Sequence, residues 1–226
     1  MKPVHEKIYE LLKNSEKGHV LDAACGKGAI GSALENRGFK VFYADRYDRP
    51  EDAKLFVNTD LNRFLPFKGK SFGIVVCSES LQYIENHNQI IGEFGRVLKE
   101  GGRLVVSFPN ILSVSSRLFF LRRGYFPHFK PYKAGDSYKR WNFIAYNPVS
   151  FVEVFQIMKR NGFEVRTVTG SGMKTKGIWL YFVLKALYSI GLLFEKDKER
   201  AEMIKKLSSR ELLLGDHVIV CGVKAG

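Results

Sequence analysis

Cysteine is scarce in this chain, acidic side chains are few in its second half, and no apolar run is long enough to cross a bilayer. Three cysteines (Cys25, Cys77, Cys221) form an odd set that excludes a disulfide framework, and each lies in or beside an apolar strand-like run. Reduced, buried thiols and a cytoplasmic location are therefore expected. There is no internal repeat and no low-complexity tract, and the balance of 45% hydrophobic to 26% charged residues excludes a disordered or collagen-like chain. The opening, MKPVHEKIYELLKN, has no apolar core of signal-peptide length, which again sets the expectation of a protein that is not exported. The longest apolar stretch, 178–194, is 17 residues with Lys185 near its centre. A bilayer span needs about 20 residues and tolerates a central lysine poorly. No His/Cys cluster has metal-ligand spacing and no Ser-His-Asp signature is present, so neither a metal nor a hydrolytic triad is expected.

The charge that is present is unevenly placed. Residues 1–110 carry 16 basic and 14 acidic side chains, whereas residues 111–226 carry 20 basic and 9 acidic. The first part reads as a near-neutral scaffold and the second as the part that meets something anionic.

Hydrophobic periodicity supplies the elements. A helix is expected over 4–12, with Val4, Ile8, Leu11 and Leu12 on one face, then a strand at 19–22 broken by a Gly-rich turn at 25–28. A helix over 29–36 follows, with Gly38 as its stop. Strands are expected at 40–44 and 55–58. The run FGIVVC at 72–77 is continuously apolar, as in a strand buried on both faces of a parallel sheet. A helix over 87–98, stopped by Gly101 and Gly102, leads to a strand at 103–108. Helices over 149–160, 178–194 and 196–207 and strands at 163–168 and 217–223 complete the chain. Strands alternating with helices indicate a doubly wound α/β fold with a seven-stranded mixed sheet, the last strand antiparallel beside the sixth.

The stretch VLDAACGKGAIG at 20–31 is the most informative. Its glycines allow a tight strand-to-helix turn and close approach of a ligand to the helix N-terminus. Gly26, Gly28 and Gly31 spell GxGxxG, and Asp45 lies 19 residues beyond Gly26, a spacing that also suits a nicotinamide dinucleotide. Two acids oppose that reading. Asp22, at the end of the strand, would repel a diphosphate and attract the ammonium of an amino acid. Asp60, after the third strand, can accept from an exocyclic amine such as that of adenine. The plainer alternatives are a helix cap or turn for Asp22 and turn roles for Asp45 and Asp60.

The blocks VLDAACGKG (20–28), FYAD (42–45), NTDL (58–61), FGIVVCSESLQYI (72–84) and FGRVLKEGGRLVVSFPN (94–110), in that order, resemble the class I S-adenosylmethionine-dependent methyltransferases of the small-molecule type. The resemblance implies a Rossmann-like fold and S-adenosylmethionine as cofactor. It places Asp22, Gly26 and Gly28 at the methionine end and Asp45 at the ribose hydroxyls, with Ala24, Cys25 and Arg46 also among the cofactor-binding residues. Asp60 and Leu61 would flank the adenine, and Cys77 and Ser78 the sulfonium. Ala24 stands where a glycine is most frequent, Gln82-Tyr83 where many relatives carry Glu-His, and no Asn-Pro-Pro-aromatic block follows the fourth strand. The expected organisation is a single domain over 1–226: a cofactor-binding half (1–110), a lid insertion (111–147) and a helical insertion (170–215) before the last strand.

The lid carries Arg117, Arg122, Arg123, Lys130, Lys133, Lys139 and Arg140 against Asp136, interleaved with Phe119, Phe120, Tyr125, Phe126, Phe129, Tyr132, Tyr138 and Trp141. Arginine beside aromatic rings suits a phosphate next to a base or sugar. The proton of an acceptor hydroxyl would pass to His128, Asp136, Tyr83 or Glu79. The 178–194 helix suits burial in the core or in a homodimer, or peripheral contact with the inner membrane surface. Scattered positions through the lid and the late helices resemble methyltransferases associated with surface-polysaccharide assembly. The expected activity is O- or N-methylation of a small, anionic or lipid- or sugar-linked acceptor by a monomer or homodimer. RNA methylation, a non-enzymatic scaffold and an NAD-dependent oxidoreductase are the alternatives.

Overall fold

The structure, a computed structural model, describes residues 1–131, 147–175 and 178–226. Among the described residues, seven strands form one sheet in the order β3-β2-β1-β4-β5-β7-β6. These are β1 (His19–Ala23), β2 (Lys40–Asp45), β3 (Phe56–Asn58), β4 (Phe72–Ser78), β5 (Leu98–Pro109), β6 (Phe163–Ser171) and β7 (His217–Lys224). The pairings from β3 across to β5 are parallel. β7 enters antiparallel between β5 and β6. The first residue of β7 therefore lies at the rim where the parallel strands end, with His217 opposite Pro109.

Alternation along the strands splits the core into two layers. On β4, Ile74 and Val76 face one side with Val20, Val41 and Ile219, packed by α1 (Pro3–Leu12) and α2 (Ala29–Glu35) through Val4, Ile8, Ile30 and Leu34. Val75 and Cys77 face the other side with Leu21, Val106 and Val220, covered by α3 (His87–Val97) and α5 (Phe151–Arg160) through Ile91, Phe94, Val154 and Met158.

Helix boundaries follow side-chain caps that periodicity does not reveal. Ser150 accepts from the Glu153 N–H, so α5 begins at Phe151 rather than 149. Asp197 does the same for α7 (Lys198–Leu207), which begins two residues later than expected. The expectation that Gly101 and Gly102 stop the third helix is corrected. Leu98 already turns extended and pairs with Phe72, and the glycines lie inside β5, where the register jumps to Ile74 opposite Arg103. A helix α4 (Val114–Arg123), ended by Gly124 at φ 77°, occupies the start of the presumed lid. Between β6 and β7 lie α6 (Ile178–Phe194), α7 and α8 (Arg210–Leu214).

Candidate functional site

The turn from β1 into α2 is held by unusual backbone. Ala24, Gly26 and Gly28 all have positive φ (57°, 51° and 75°), a region in which only glycine is unstrained. A Cβ on Gly28 would come 2.7 Å from Pro50 Cγ, and one on Gly31 would strike the Tyr43 ring. Those two glycines serve internal packing. Beyond Gly26 the space is open.

Asp22 is not among the residues that line the cleft at the carboxyl ends of β1, β2 and β3. Its carboxylate is buried behind the turn and accepts from the Gly31 N–H at 3.0 Å, satisfying a donor in the first turn of α2. The capping alternative is the one this geometry matches. Burial pushes the Asp22 carboxyl up to about 7; the Gly31 N–H opposes the shift and the Asp45 charge adds to it. A donor that a dinucleotide diphosphate would use is thus already engaged by an acid, which disfavours the nicotinamide reading.

At the carboxyl ends of β1, β2 and β3 an open cleft is lined by Ala24, Asp45, Arg46, Asp60, Leu61 and Tyr83, together with Ile84 and Ser80. Asp45 accepts from the Gly26 N–H at 2.9 Å through Oδ2, and from the Tyr47 and Asp48 N–H groups at 2.8 and 3.0 Å through Oδ1. A carboxylate has about four acceptor positions, so one remains for a ligand hydroxyl. Arg46 Nη1 lies 2.9 Å from Asp60 Oδ2, and the Asn62 N–H donates to Asp60 Oδ1. Leu61, Ile84 and Tyr83 give the cleft apolar walls.

The other expected cofactor residues stand apart from this lining. Cys25 is half-buried beside it, and Gly26 touches it only through Asp45. The Cys77 thiol is fully buried in the core, and burial pushes it well above the usual thiol range. Cys77 therefore offers no side chain to a sulfonium. Ser78 Oγ is 3.0 Å from Ser107 Oγ.

Of the expected acid–base candidates, Asp136 lies outside the described residues, as do Tyr132, Lys133, Tyr138, Lys139, Arg140 and Trp141. Tyr83 lines the cleft. His128, from the segment after α4, is exposed, sits 3.5 Å from Asp216 Oδ1 and packs its ring 5.5 Å from that of His217. Glu79 is the hub of a second group: His217 Nε2 lies 2.8 Å from its Oε1, with Lys2 Nζ at 2.9 Å and His5 Nε2 at 3.8 Å from its Oε2. His217, Lys2 and His5 are not singled out by sequence pattern, because they come from opposite ends of the chain. Only the topology, with β7 returning antiparallel beside β5, brings them to this rim. The rim itself is pinned from behind: His87 Nε2 lies 2.9 Å from the Leu81 carbonyl, and Asn147 Nδ2 donates to the Ile84 carbonyl at 2.9 Å.

The family model described as "Methyltransferase domain" matches residues 21–106, which hold the Gly-rich turn, β2 to β4 and most of β5. YqeM of Bacillus subtilis, assigned to the methyltransferases, is 33% identical over 103 residues, 40% of this chain and 42% of its own. A ubiquinone biosynthesis O-methyltransferase of Saccharophagus degradans is 29% identical over 127 residues, 48% of this chain and 53% of its own. The chain thus spans about half the length of these curated relatives. A solved methyltransferase from Archaeoglobus fulgidus shares the fold with a TM-score of 0.61 at 17% identity, over 97% of this chain and 94% of its own. Residues 21–106 thus match a methyltransferase domain, and the chain as a whole shares the fold of solved S-adenosylmethionine-dependent methyltransferases.

Proposed function

We propose that this chain catalyses methyl transfer from S-adenosylmethionine to a small acceptor, and that Asp45 carries donor recognition. The supporting observation is the cleft whose wall Asp45 forms, with an acceptor position to spare beside apolar Leu61, Ile84 and Tyr83. In this reading Asp45 takes a ribose hydroxyl, Asp60 the exocyclic amine, and the backbone around Gly26 the methionine end. When bound, S-adenosylmethionine supplies an activated methyl: the acceptor's lone pair bonds to carbon as the carbon–sulfur pair returns to sulfur, leaving S-adenosylhomocysteine. The protein's share is placement and exclusion of water. Calorimetry with S-adenosylhomocysteine tests the assignment. Asp45→Ala should weaken binding at least tenfold, and absence of binding by the wild type would overturn it.

The acceptor in this reading is lipid-linked and met at a membrane surface. No helix among the described residues is long and apolar enough to cross a membrane. Yet α6 has no buried side chain and exposes Trp179, Phe182, Leu187, Ile190, Leu193 and Phe194. Its inner side rests on α4, where Arg117 Nη2 donates to the Tyr188 hydroxyl at 2.9 Å. Phe120 and Leu121 of α4 extend the apolar surface, and Arg122 and Arg123 border it. Apolar side chains rimmed by cations suit the interface of an anionic bilayer. Binding to phosphatidylglycerol-containing vesicles is expected, with loss in a Phe182→Glu/Leu187→Glu variant. With tritiated donor and a cell extract, label should enter the lipid fraction; label released by ribonuclease would instead identify RNA as the acceptor.

A further inference from the structure

Behind the 3₁₀ turn Leu81–Tyr83 lies a second cavity, lined by Lys2, Glu79, Gln82, Tyr83, His128 and His217. Tyr83 belongs to the walls of both cavities, so the donor cleft and this polar chamber adjoin at the turn. Four separate parts of the chain converge here: the start of the chain, the end of β4, the segment after α4 and the first residue of β7.

Three observations single the chamber out. First, Glu79 has φ 52°, a strained conformation for a side chain with a Cβ, and two bonds hold it there: its N–H donates to the Ser107 carbonyl at 2.9 Å and to Ser107 Oγ at 3.1 Å. Second, Gln82 is buried, donates through Nε2 to the Glu79 carbonyl at 2.7 Å, and has no partner for its Oε1 among the described residues. A buried amide oxygen without a donor is costly unless a ligand supplies one. Third, His217 Nε2 lies 2.8 Å from Glu79 Oε1, while its Nδ1 is 3.9 Å from the nearest carboxylate oxygen, Asp216 Oδ2, beyond hydrogen-bond reach.

Building on the methyltransferase reading above, we infer that this chamber receives a hydroxyl-bearing acceptor and that His217 is its general base, so that methylation occurs on oxygen. With Nε2–H facing Glu79, the Nδ1 lone pair takes the hydroxyl proton while the oxygen forms its bond to the methyl carbon. The Glu79 carboxylate then faces the imidazolium, which returns its proton to water. Glu79 is a positioning residue: it sets the tautomer and compensates the charge. Its carboxyl is held down to about 2, chiefly by His217 and then, against some burial, by Lys2, so it stays ionised throughout the neutral range. The unpartnered Gln82 Oε1 can accept from a second hydroxyl of the same acceptor, which favours a diol, catechol or sugar.

Two measurements on the whole chain test this. In the free protein labelled with ¹⁵N-histidine, His217 should show the Nε2–H tautomer at pH 8, and Glu79→Gln should convert it to a mixture. A protonated Nδ1 in the wild type would overturn the proposal. In the extract assay with tritiated donor, the label should be an ether, released as volatile methyl iodide by hydriodic acid. His217→Gln should lower its formation about 100-fold or more while S-adenosylhomocysteine affinity stays within twofold. His217→Asn is the second variant should the first fail to fold. Label that resists hydriodic acid as an N- or C-methyl group, or a His217→Gln rate within threefold of wild type, would overturn the assignment of base and acceptor. Failure to bind S-adenosylhomocysteine, or binding with no labelled product from the wild type, would instead remove the methyltransferase reading beneath it.

Discussion

Around the donor cleft, the charged groups lie within one short span of chain, from Asp22 to Asp60, and each of their carboxylates accepts from at least one backbone N–H group. Around the second chamber, Lys2, Glu79, His128, Asp216 and His217 come from across the whole sequence and pair with one another. One carboxylate of the first region, Asp22, and one of the second, Glu79, are tuned in opposite directions. Burial pushes Asp22 up to about 7, whereas His217 and Lys2 hold Glu79 down to about 2. One region is a local device for shaping backbone; the other is a tertiary device for holding side-chain charge.

The largest expected effect is at Asp45. Asp45→Ala leaves the N–H groups of Gly26, Tyr47 and Asp48 without that acceptor. An unsatisfied buried donor costs about 1–3 kcal/mol, and water can reach part of this loop, so a loss of about 3 kcal/mol in urea unfolding is expected. A loss below about 1 kcal/mol would mean that the loop keeps its shape without the acid, and that donor binding rather than folding explains the aspartate.

Next is the opposed pH dependence. In the folded chain Asp22 keeps its proton up to about pH 7, whereas in the unfolded chain it ionises near its ordinary value of 3.8. The folded state therefore binds more protons between those values, and Asp22 lowers stability as pH rises through that window. Asp22→Asn keeps an acceptor for the Gly31 N–H without the charge. It should be more stable than wild type at pH 8 by about 2 kcal/mol, with the gain vanishing near pH 4. Glu79 has the reverse sign. Its depressed carboxyl contributes stability that is fully present above the ordinary value of 4.5 and is lost as pH falls toward 2. The residue is half-buried and its partners are partly solvated, so this contribution is about 1 kcal/mol. Melting curves from pH 2 to 5 should show a shallower acid limb in Glu79→Gln. Equal limbs would show that the His217 and Lys2 contacts carry no net stability.

This contrast also explains what sequence reading could reach. The alternation of strands and helices, the Gly-rich turn and the acids Asp45 and Asp60 follow from periodicity and spacing along the first strands, where neighbours in sequence are neighbours in space, whereas Arg46 and Leu61 are reached only through the family resemblance. The bond from the Gly31 N–H to Asp22 is not legible, because nothing in the local pattern shows that a strand-end carboxylate reaches back to the first turn of the following helix. His217 is invisible for a different reason. A histidine at the head of an apolar strand has no local pattern, and its value arises only when β7 inserts between β5 and β6. The extension of β5 back to Leu98 was likewise hidden by two glycines that imitate a helix stop.

The smallest effect concerns two turn positions, separated by Cys25 alone, that the sequence treats differently. Ala24 and Gly26 have nearly equal positive φ, 57° and 51°, and only one is glycine. At Gly26 a Cβ would meet nothing within 4 Å, so Gly26→Ala isolates backbone strain and should cost about 1 kcal/mol. At Ala24 the strain is already present. Ala24→Gly relieves about 1 kcal/mol of it but adds about 0.5–1 kcal/mol of unfolded-chain entropy, so stability should change by less than about 0.5 kcal/mol. Ala24 also lines the donor cleft, so the same variant compares S-adenosylhomocysteine affinity with and without its methyl group. A loss of stability above 1 kcal/mol would show that this methyl is held by packing, and would make the alanine a structural part of the cleft wall rather than a tolerated departure from glycine.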